Sequence, residues 1–476
     1  MTAVVLGVDS STQSTKVEAR ALDSGALLAV GRAPHPPTSA PRSEQHPDRW
    51  WEAIVDAIGQ LGDVRRDVVA VSIGAQQHGL VVLDDDDAVI RPAKLWNDTT
   101  SAPEAAQLVA DRGRGWWADR AGSVPVASFT VTKVAWMRAH EPELHARIAH
   151  VMLPHDYLAW RLTGAHVTDR GDASGTGWWG PDGYDRDVLD LVGLNAAVLP
   201  RVCAPFEIVG TVAMSVAAEL GLPGGVVVGP GTGDNMAAAL GLALRPGDAA
   251  VSIGTSGTVF CVSSRRTADA TGAVAGFADA TGRYLPLVCT LNAARVTETV
   301  AHWLNVDLGV LSELALRASG EGAILVPYLD GERTPDLPDA TGLFAGLRTS
   351  TTREDLALGA FDGVLCGLLE GRDALVSAGA DATGRLHLVG GGARSPAYRQ
   401  RLADLAGCAV VVPDVDEVVA TGACVQAAAV HGHEDERAVT ERWGLGGGHR
   451  VEPRSGIDGA ARRAAYAKAR AVCTDG

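Results

Sequence analysis

The chain has 476 residues, 46% of them hydrophobic and 21% charged, enough apolar content for a large core and a length prior of about two to four domains. A formal net charge of −16 excludes a general nucleic-acid or anionic-membrane binder, whose surface would carry basic patches. The seven cysteines show no C-x-x-C or Cys/His spacing, no apolar run reaches the length of a membrane span, and no signal segment precedes the first strand, so a cytoplasmic setting with reduced, buried thiols is expected.

Taken in order, the predicted elements alternate between strand and helix. Residues 4–8 read as a buried strand with Asp9 at its carboxyl end, followed by a Ser/Thr loop and a second strand from Lys16. A helix is predicted over 46–61, with Trp51, Ile54, Val55 and Ile58 on one face. Residues 68–73 form another buried strand, ending in Gly74-Ala-Gln-Gln-His-Gly79. A polar loop at a strand terminus is where open α/β sheets place ligand groups. The aspartates at 84–87 read as a solvated hairpin turn in preference to a metal site. Leu95-Trp-Asn-Asp98 ends in a polar pair read as a helix cap, with a ligand contact as the alternative. Helices are predicted over 132–139, carrying Lys133 and Trp136, and from a cap signal at Asp156 to a stop at Gly164. Residues 169–179 form a loop whose Asp172 is either structural or ligand-facing.

A strand at 226–228 leads into Gly229-Pro-Gly-Thr-Gly-Asp-Asn235, and a small-residue run then gives Ser252-Ile-Gly-Thr-Ser-Gly-Thr-Val-Phe260. The pattern breaks at Arg245-Pro-Gly247, which divides the chain into an N-terminal domain, 1–244, and a C-terminal domain, 245–476. The second half carries a predicted helix at 292–304, a strand at 324–326 and a long helix at 352–378. That helix has glycines at 359, 363, 367 and 371, one face without side chains. Each glycine costs about 0.8–1 kcal/mol relative to alanine, so the row implies close backbone packing. Asp355, Asp362, Glu370, Arg372 and Asp373 exclude a membrane helix there. A strand at 386–389 runs into Gly390-Gly-Gly-Ala-Arg-Ser-Pro396 and a helix from 397; the tail reads as a loop and a surface helix with no function assigned.

No P-loop, dinucleotide fingerprint, zincin motif or serine-hydrolase elbow occurs. What remains is an acid and two cradles. The alternating glycines before Asp234 let the backbone turn tightly and approach a ligand. The Ser/Thr loops after Asp9 and around Thr255 point N–H and hydroxyl donors at one spot, which suits phosphate oxygens. The two loops look like copies, strand, turn, hydroxyls, strand, about half the chain apart; two like-built domains facing each other across a cleft are expected, two unrelated hairpins being the alternative. Phosphoryl transfer needs donors around the transferring group, Mg²⁺ to offset its charge and a carboxylate to take the acceptor's proton. Asp234 is assigned as that base, acting late because a carboxylate with a pKa near about 4 is weak toward an alcohol. Asp9 is assigned to the metal and phosphate, and Gly391, Gly392 and Ala393 to the loop closing over the nucleotide. The two ring nitrogens of His78 suit a polyol, donating to one hydroxyl and accepting from another.

Eight segments in order carry a resemblance over residues 4–430: Val8-Asp-Ser-Ser-Thr12, Gln76-Gln-His-Gly79, Leu95-Trp-Asn-Asp98, Ser128-Phe-Thr-Val-Thr-Lys-Val-Ala-Trp136, Gly233-Asp-Asn235, Ser252-Ile-Gly-Thr-Ser-Gly257, Gly331-Glu-Arg-Thr-Pro335 and Gly390-Gly-Gly-Ala393. Together they resemble the FGGY carbohydrate kinases of the actin-like, ribonuclease H-like superfamily. The resemblance implies two actin-like α/β domains facing each other across a catalytic cleft and ATP-dependent phosphorylation of a sugar. It implies that Asp234 is the general base at the sugar, that Gln77 and His78 contact the sugar, and that Asp9, Thr12, Thr255 and Gly392 surround the ATP phosphates or nucleotide. The implied acceptor is a ketopentose, D-xylulose, with ribulose or glycerol as rivals. The implied partners are sugar, ATP and Mg²⁺, with no nucleic acid or membrane and a homodimer as the candidate assembly. Ser11 stands where many relatives carry glycine, Gln77 where many carry methionine, and Gly359 where alanine or serine is usual; Arg333 has no assigned role. A nucleotide-switching, actin-like ATPase would use the same two loops, but the Gln77-His78 and Gly233-Asp-Asn235 segments provide an acceptor site. A catalytically dead sugar sensor is disfavoured because Asp9, Asp234 and Thr255 are all present.

Overall fold

β1 (Val4–Ser10) is buried along its whole length, as its apolar run demands, and a tight turn sends the chain back through β2 (Ser14–Ala21) to β3 (Leu27–Pro34). β2 starts two residues ahead of the predicted Lys16 because Ser10 still pairs with Thr15 across the turn. The computed structural model describes residues 2–318 and 322–474. They form two units: the first holds residues up to Leu244 with Arg266–Leu285 and Val415–Gly446, the second Arg245–Arg265, Pro286–Asp414 and residues from Gly447 onward.

In the first unit, β4 (Val68–Ala75), β5 (Gly210–Thr211), β6 (Val227–Val228) and β7 (Thr232–Gly233) complete the sheet, in the order β3-β2-β1-β4-β6-β5. β1, β6 and β7 run parallel to β4, while β2, β3 and β5 run antiparallel to their neighbours. Alternate residues of β1 serve two cores. Val4, Leu6 and Val8 pack with Trp50, Trp51, Ile54 and Ile58 of the helix Pro47–Gly59. Val5 packs instead with Cys424, Val425 and Ala428 of the helix Val418–Gly432. That helix also crosses the helix Asp234–Gly241 at backbone distance: a Cβ on Gly422 would lie 1.8 Å from the Ala237 carbonyl oxygen.

The second unit repeats this plan. β8 (Ala249–Ile253), β9 (Gly257–Cys261) and β10 (Tyr284–Thr290) are successive antiparallel strands, and β11 (Leu386–Val389) and β12 (Val410–Pro413) continue parallel from β8. β13 (Gly448–Val451) closes the series antiparallel to β12. The order β10-β9-β8-β11-β12-β13 matches β3-β2-β1-β4-β6-β5 in direction, strand for strand. The Asp9 loop and the Thr255 loop therefore occupy equivalent β-turns.

The long helix is Arg353–Ser377, and its glycine row divides into two kinds of contact. A Cβ on Gly363 would lie 2.4 Å from the Leu325 carbonyl oxygen, whereas on Gly367 it would meet only the Tyr466 hydroxyl, at 3.5 Å. Gly363→Ala is expected to destabilise by about 1–3 kcal/mol through overpacking. Gly367→Ala is expected to stabilise by up to about 1 kcal/mol through helix propensity alone. Thermal melts of the two variants check this, and opposite signs are the expected outcome. The terminal helix, Gly459–Thr474, departs from the surface helix expected: Tyr466 is buried, and Arg462 pairs with buried Asp362 at 2.8 Å while donating to the Gly322 and Ala323 carbonyls. Among the described residues, no helix is long and apolar enough to cross a membrane.

Candidate active site

The register of the first sheet brings two carboxylates to one edge. Asp9 of β1 and Thr232 of β7 both lie opposite Gly74 of β4, and Ser10 and Gly233 both lie opposite Ala75. Asp234 follows at once as the first residue of the helix Asp234–Gly241. Asp9 is 3% exposed and accepts a hydrogen bond from Ser11 Oγ, with Lys16 Nζ 3.5 Å from its second oxygen. Ser11 thus gives Asp9 a hydrogen-bond donor from its own turn. Burial pushes the Asp9 pKa up, with Lys16 and Ser11 pulling against it. Lys16 also pairs with Glu417 at 2.6 Å.

The loop after β4 supplies the predicted sugar contacts. Gln76 Oε1 accepts from Thr12 Oγ1 at 3.1 Å, and Trp96 Nε1 donates to the same hydroxyl at 2.9 Å, so Thr12 is held by two elements. Gln77 Oε1 accepts from Asn235 Nδ2 at 2.9 Å, and Gln77 Nε2 is buried without a partner among the described residues. Such an orphan donor is costly unless a ligand satisfies it. His78, with φ of 65°, stacks on Phe129 at 5.0 Å, and its Nδ1 bonds to the Gly175 carbonyl at 2.9 Å. One ring nitrogen is thereby committed to the protein.

Asp234 Oδ1 accepts from both the backbone N and Nδ2 of Asn235, each at 2.8 Å. Its pKa is pushed up to about 7 by burial first, then by the charges of Asp9 and Asp172, with the Asn235 bonds opposing. The ordinary carboxylate value of about 4 expected from sequence is therefore replaced by one near neutral pH.

Sequence reasoning missed the group behind this loop. His155, fully buried, has Nδ1 3.0 Å from Asp172 Oδ2 and Nε2 2.9 Å from Asp156 Oδ1 and 3.6 Å from Asp169 Oδ1. Burial pushes its pKa down, but Asp156 and Asp172 outweigh that and hold it well above the ordinary histidine range, as an imidazolium. Asp169 Oδ2 accepts from Thr232 Oγ1 at 2.7 Å, and Gln426 Nε2 donates to the Gly231 carbonyl at 3.1 Å. Gly231, at φ of 73°, leaves room for His155, whose Cδ2 would lie 2.7 Å from an added Cβ. Asp156 sits at the third position of the helix Pro154–Thr163, whose cap is Leu153, and Asp98 caps no helix: it accepts from Lys94 Nζ at 3.1 Å and from Ser43 N at 2.8 Å. Lys94 in turn lies 3.9 Å from the Trp136 ring centre, which joins the Leu95–Asp98 and Ser128–Trp136 segments in one buried cluster. In the second unit, Glu332 of Gly331-Glu-Arg-Thr-Pro335 fastens a loop by accepting from Leu291 N at 2.6 Å and Asn292 Nδ2 at 3.0 Å.

The second unit also holds Thr255, Gly391, Gly392 and Ala393. Thr255 is exposed in the turn between β8 and β9, and β11, parallel to β8, ends at Val389 and leads into Gly390. Gly390, at φ of 83°, and Gly392 both press on Ile253, where an added Cβ would come within 2.6 Å and 2.4 Å of it. A Cβ on Gly391 would meet nothing within 4 Å, so this backbone is open to a ligand.

Residues 4–241 match the FGGY family of carbohydrate kinases, N-terminal domain, and residues 249–431 match its C-terminal domain. The chain is 49% identical over 452 residues to the xylulose kinase of Streptomyces rubiginosus, covering 94% of this chain and 92% of that one. The crystal structure of xylulose kinase from Bifidobacterium adolescentis matches with a TM-score of 0.86 at 39% identity, over 98% of this chain and 99% of that one. A structure described as a xyloylose kinase from Brucella ovis matches with a TM-score of 0.92 at 29% identity, over 99% of each chain. With both domains matched, in order and nearly end to end, the chain belongs to the FGGY family of carbohydrate kinases and has its two-domain, actin-like α/β fold.

Proposed function

We propose that this carbohydrate kinase transfers the γ-phosphoryl group of ATP to D-xylulose, giving D-xylulose 5-phosphate and ADP. The substrate reading is supported by the relatives' own substrate. The chemical reading is carried by Asp234, a carboxylate raised to about 7, near Gln77, whose Nε2 has no partner among the described residues. Asp234 Oδ1 is taken by Asn235, so Oδ2 receives the proton of the sugar hydroxyl as that oxygen bonds to phosphorus and the bond to ADP breaks. Gln77 Nε2 donates to a sugar hydroxyl, and His78, in the same loop, contacts the sugar beside it.

Asp9 fits a hard cation, because burial and Glu417 raise its pKa, its charge raises that of Asp234, and a divalent ion would relieve both. Mg²⁺ held there would supply charge neutralisation to the transferring phosphoryl group. Thr12 lies next to Asp9's turn, and Thr255, Gly391, Gly392 and Ala393 are assigned to the phosphates and nucleotide. All seven cysteines are free thiols, which accords with a cytoplasmic setting.

The test is ADP release with Mg-ATP against D-xylulose, D-ribulose, L-ribulose, D-fructose, glycerol and no sugar. A strong preference for D-xylulose with little sugar-free rate is expected. Equal ATP consumption in every well overturns the proposal and favours a switching ATPase. His78→Ala is expected to raise the KM for sugar far more than that for ATP; equal changes would make His78 structural.

A further inference from the structure

Away from the kinase residues, three side chains of the first unit converge on one point. Asp87 ends the acidic turn, where Asp84 is occupied by Ala88 N at 3.0 Å, Asp86 N at 3.2 Å and Arg147 at 2.8 Å. His150 opens the strand His150–Met152, which pairs with the strand Val81–Leu83, and His166 lies just before the strand Val167–Thr168. Nε2 of His150 and Nε2 of His166 lie 3.8 Å and 3.7 Å from the same oxygen, Asp87 Oδ1. Both are beyond hydrogen-bond range. The two rings stack with centroids 4.0 Å apart and planes 26° apart. Nδ1 of His166 is buried without a partner among the described residues. Among the described residues, no hydrogen bond explains two stacked imidazoles aimed at one carboxylate oxygen. A cation at that oxygen does.

We propose that Asp87, His150 and His166 form a binding site for a divalent transition-metal ion of borderline softness, with Zn²⁺ as its reference ligand and water in the fourth position. The ligand atoms lie within 4.8 Å of one another. A tetrahedral Zn²⁺ with bonds of about 2.0–2.1 Å sets its ligands about 3.3 Å apart. Closing that gap takes small rotations of side chains that are 47%, 34% and 30% exposed. Two imidazoles and one carboxylate select zinc-like ions over Mg²⁺, which takes oxygen ligands, so this site is chemically separate from the one assigned to Asp9. A bound ion would tie together the acidic turn, the strand at His150 and the segment that follows the helix Pro154–Thr163. That helix carries His155.

The experiment is a titration of metal-stripped, full-length protein with ZnCl₂ against a chromophoric chelator, with Co²⁺ absorption in parallel. One Zn²⁺ per chain is expected, unaffected by millimolar Mg²⁺, with a Co²⁺ spectrum free of thiolate charge transfer. His150→Ala, His166→Ala and Asp87→Asn are each expected to weaken Zn²⁺ at least about tenfold while leaving sugar phosphorylation unchanged. Asn tolerates the left-handed backbone of position 87, at φ of 59°, so this variant keeps the test open if a histidine variant misfolds. No stoichiometric binding, unchanged affinity in Asp87→Asn, or thiolate bands in the Co²⁺ form would each overturn the site.

Discussion

Asp234→Asn is expected to lower turnover with sugar by at least about 10²-fold, the scale of a lost general base, while ATP affinity stays within about twofold. The amide keeps the size of the side chain and its place at the start of the helix Asp234–Gly241 but cannot take a proton. The pH dependence is expected to report the same group. With the Asp234 carboxyl held at about 7 by burial, Asp9 and Asp172, a base at this position would be protonated and inactive below that pH and ionised above it. In the wild type, kcat/KM for sugar should therefore fall about tenfold per unit below pH 7 and level off above it. The Asn variant should be slow and lack this acid limb. Near-normal turnover in the variant, or an unchanged limb, would remove Asp234 from the role.

What the sequence disclosed here was local. An unbroken apolar run, a tight turn and a carboxylate at a strand end are written in consecutive residues, so β1, β4, β8 and β11 and the loops that follow them were legible. Even the duplication was visible, since Val5–Ser10 and Ala249–Ile253 with their Ser/Thr turns are local copies. The glycine row of Arg353–Ser377 announced close packing, but not that Gly363 meets backbone while Gly367 meets a tyrosine hydroxyl. What stayed hidden depends on partners remote in the chain. Asp156, Asp169 and Asp172 each read as a cap or loop acid until they are seen around one histidine. Asp98 read as a cap because its lysine, Lys94, looks like an ordinary charged residue in sequence and proves fully buried. The pKa of Asp234 was hidden for the same reason, being set by burial and by Asp9, more than two hundred positions away.

The buried histidine carries the second large effect. His155→Gln is expected to destabilise the protein by about 3–5 kcal/mol, a fall of roughly 10 °C in Tm. The substitution removes a cation that faces Asp156, Asp172 and Asp169 at 2.9, 3.0 and 3.6 Å and leaves those carboxylates uncompensated in the interior. Adding Asp172→Asn removes one of the stranded charges, so the double variant should recover part of the loss. The linkage has a definite sign. The folded pKa of His155 lies well above its unfolded value, so its stabilisation is fully present below about pH 6.5 and is lost as pH rises through the elevated folded value. Wild-type stability should decline at alkaline pH by an increment that His155→Gln lacks. Because Asp169 holds Thr232 in the strand just before Asp234, turnover should fall along with stability, and less so in the double variant. A Tm within 2 °C of wild type would mean that His155 is neutral, and the Asp234 loop would then rest on Asp169, Gln426 and the sheet register without a buried cation behind them.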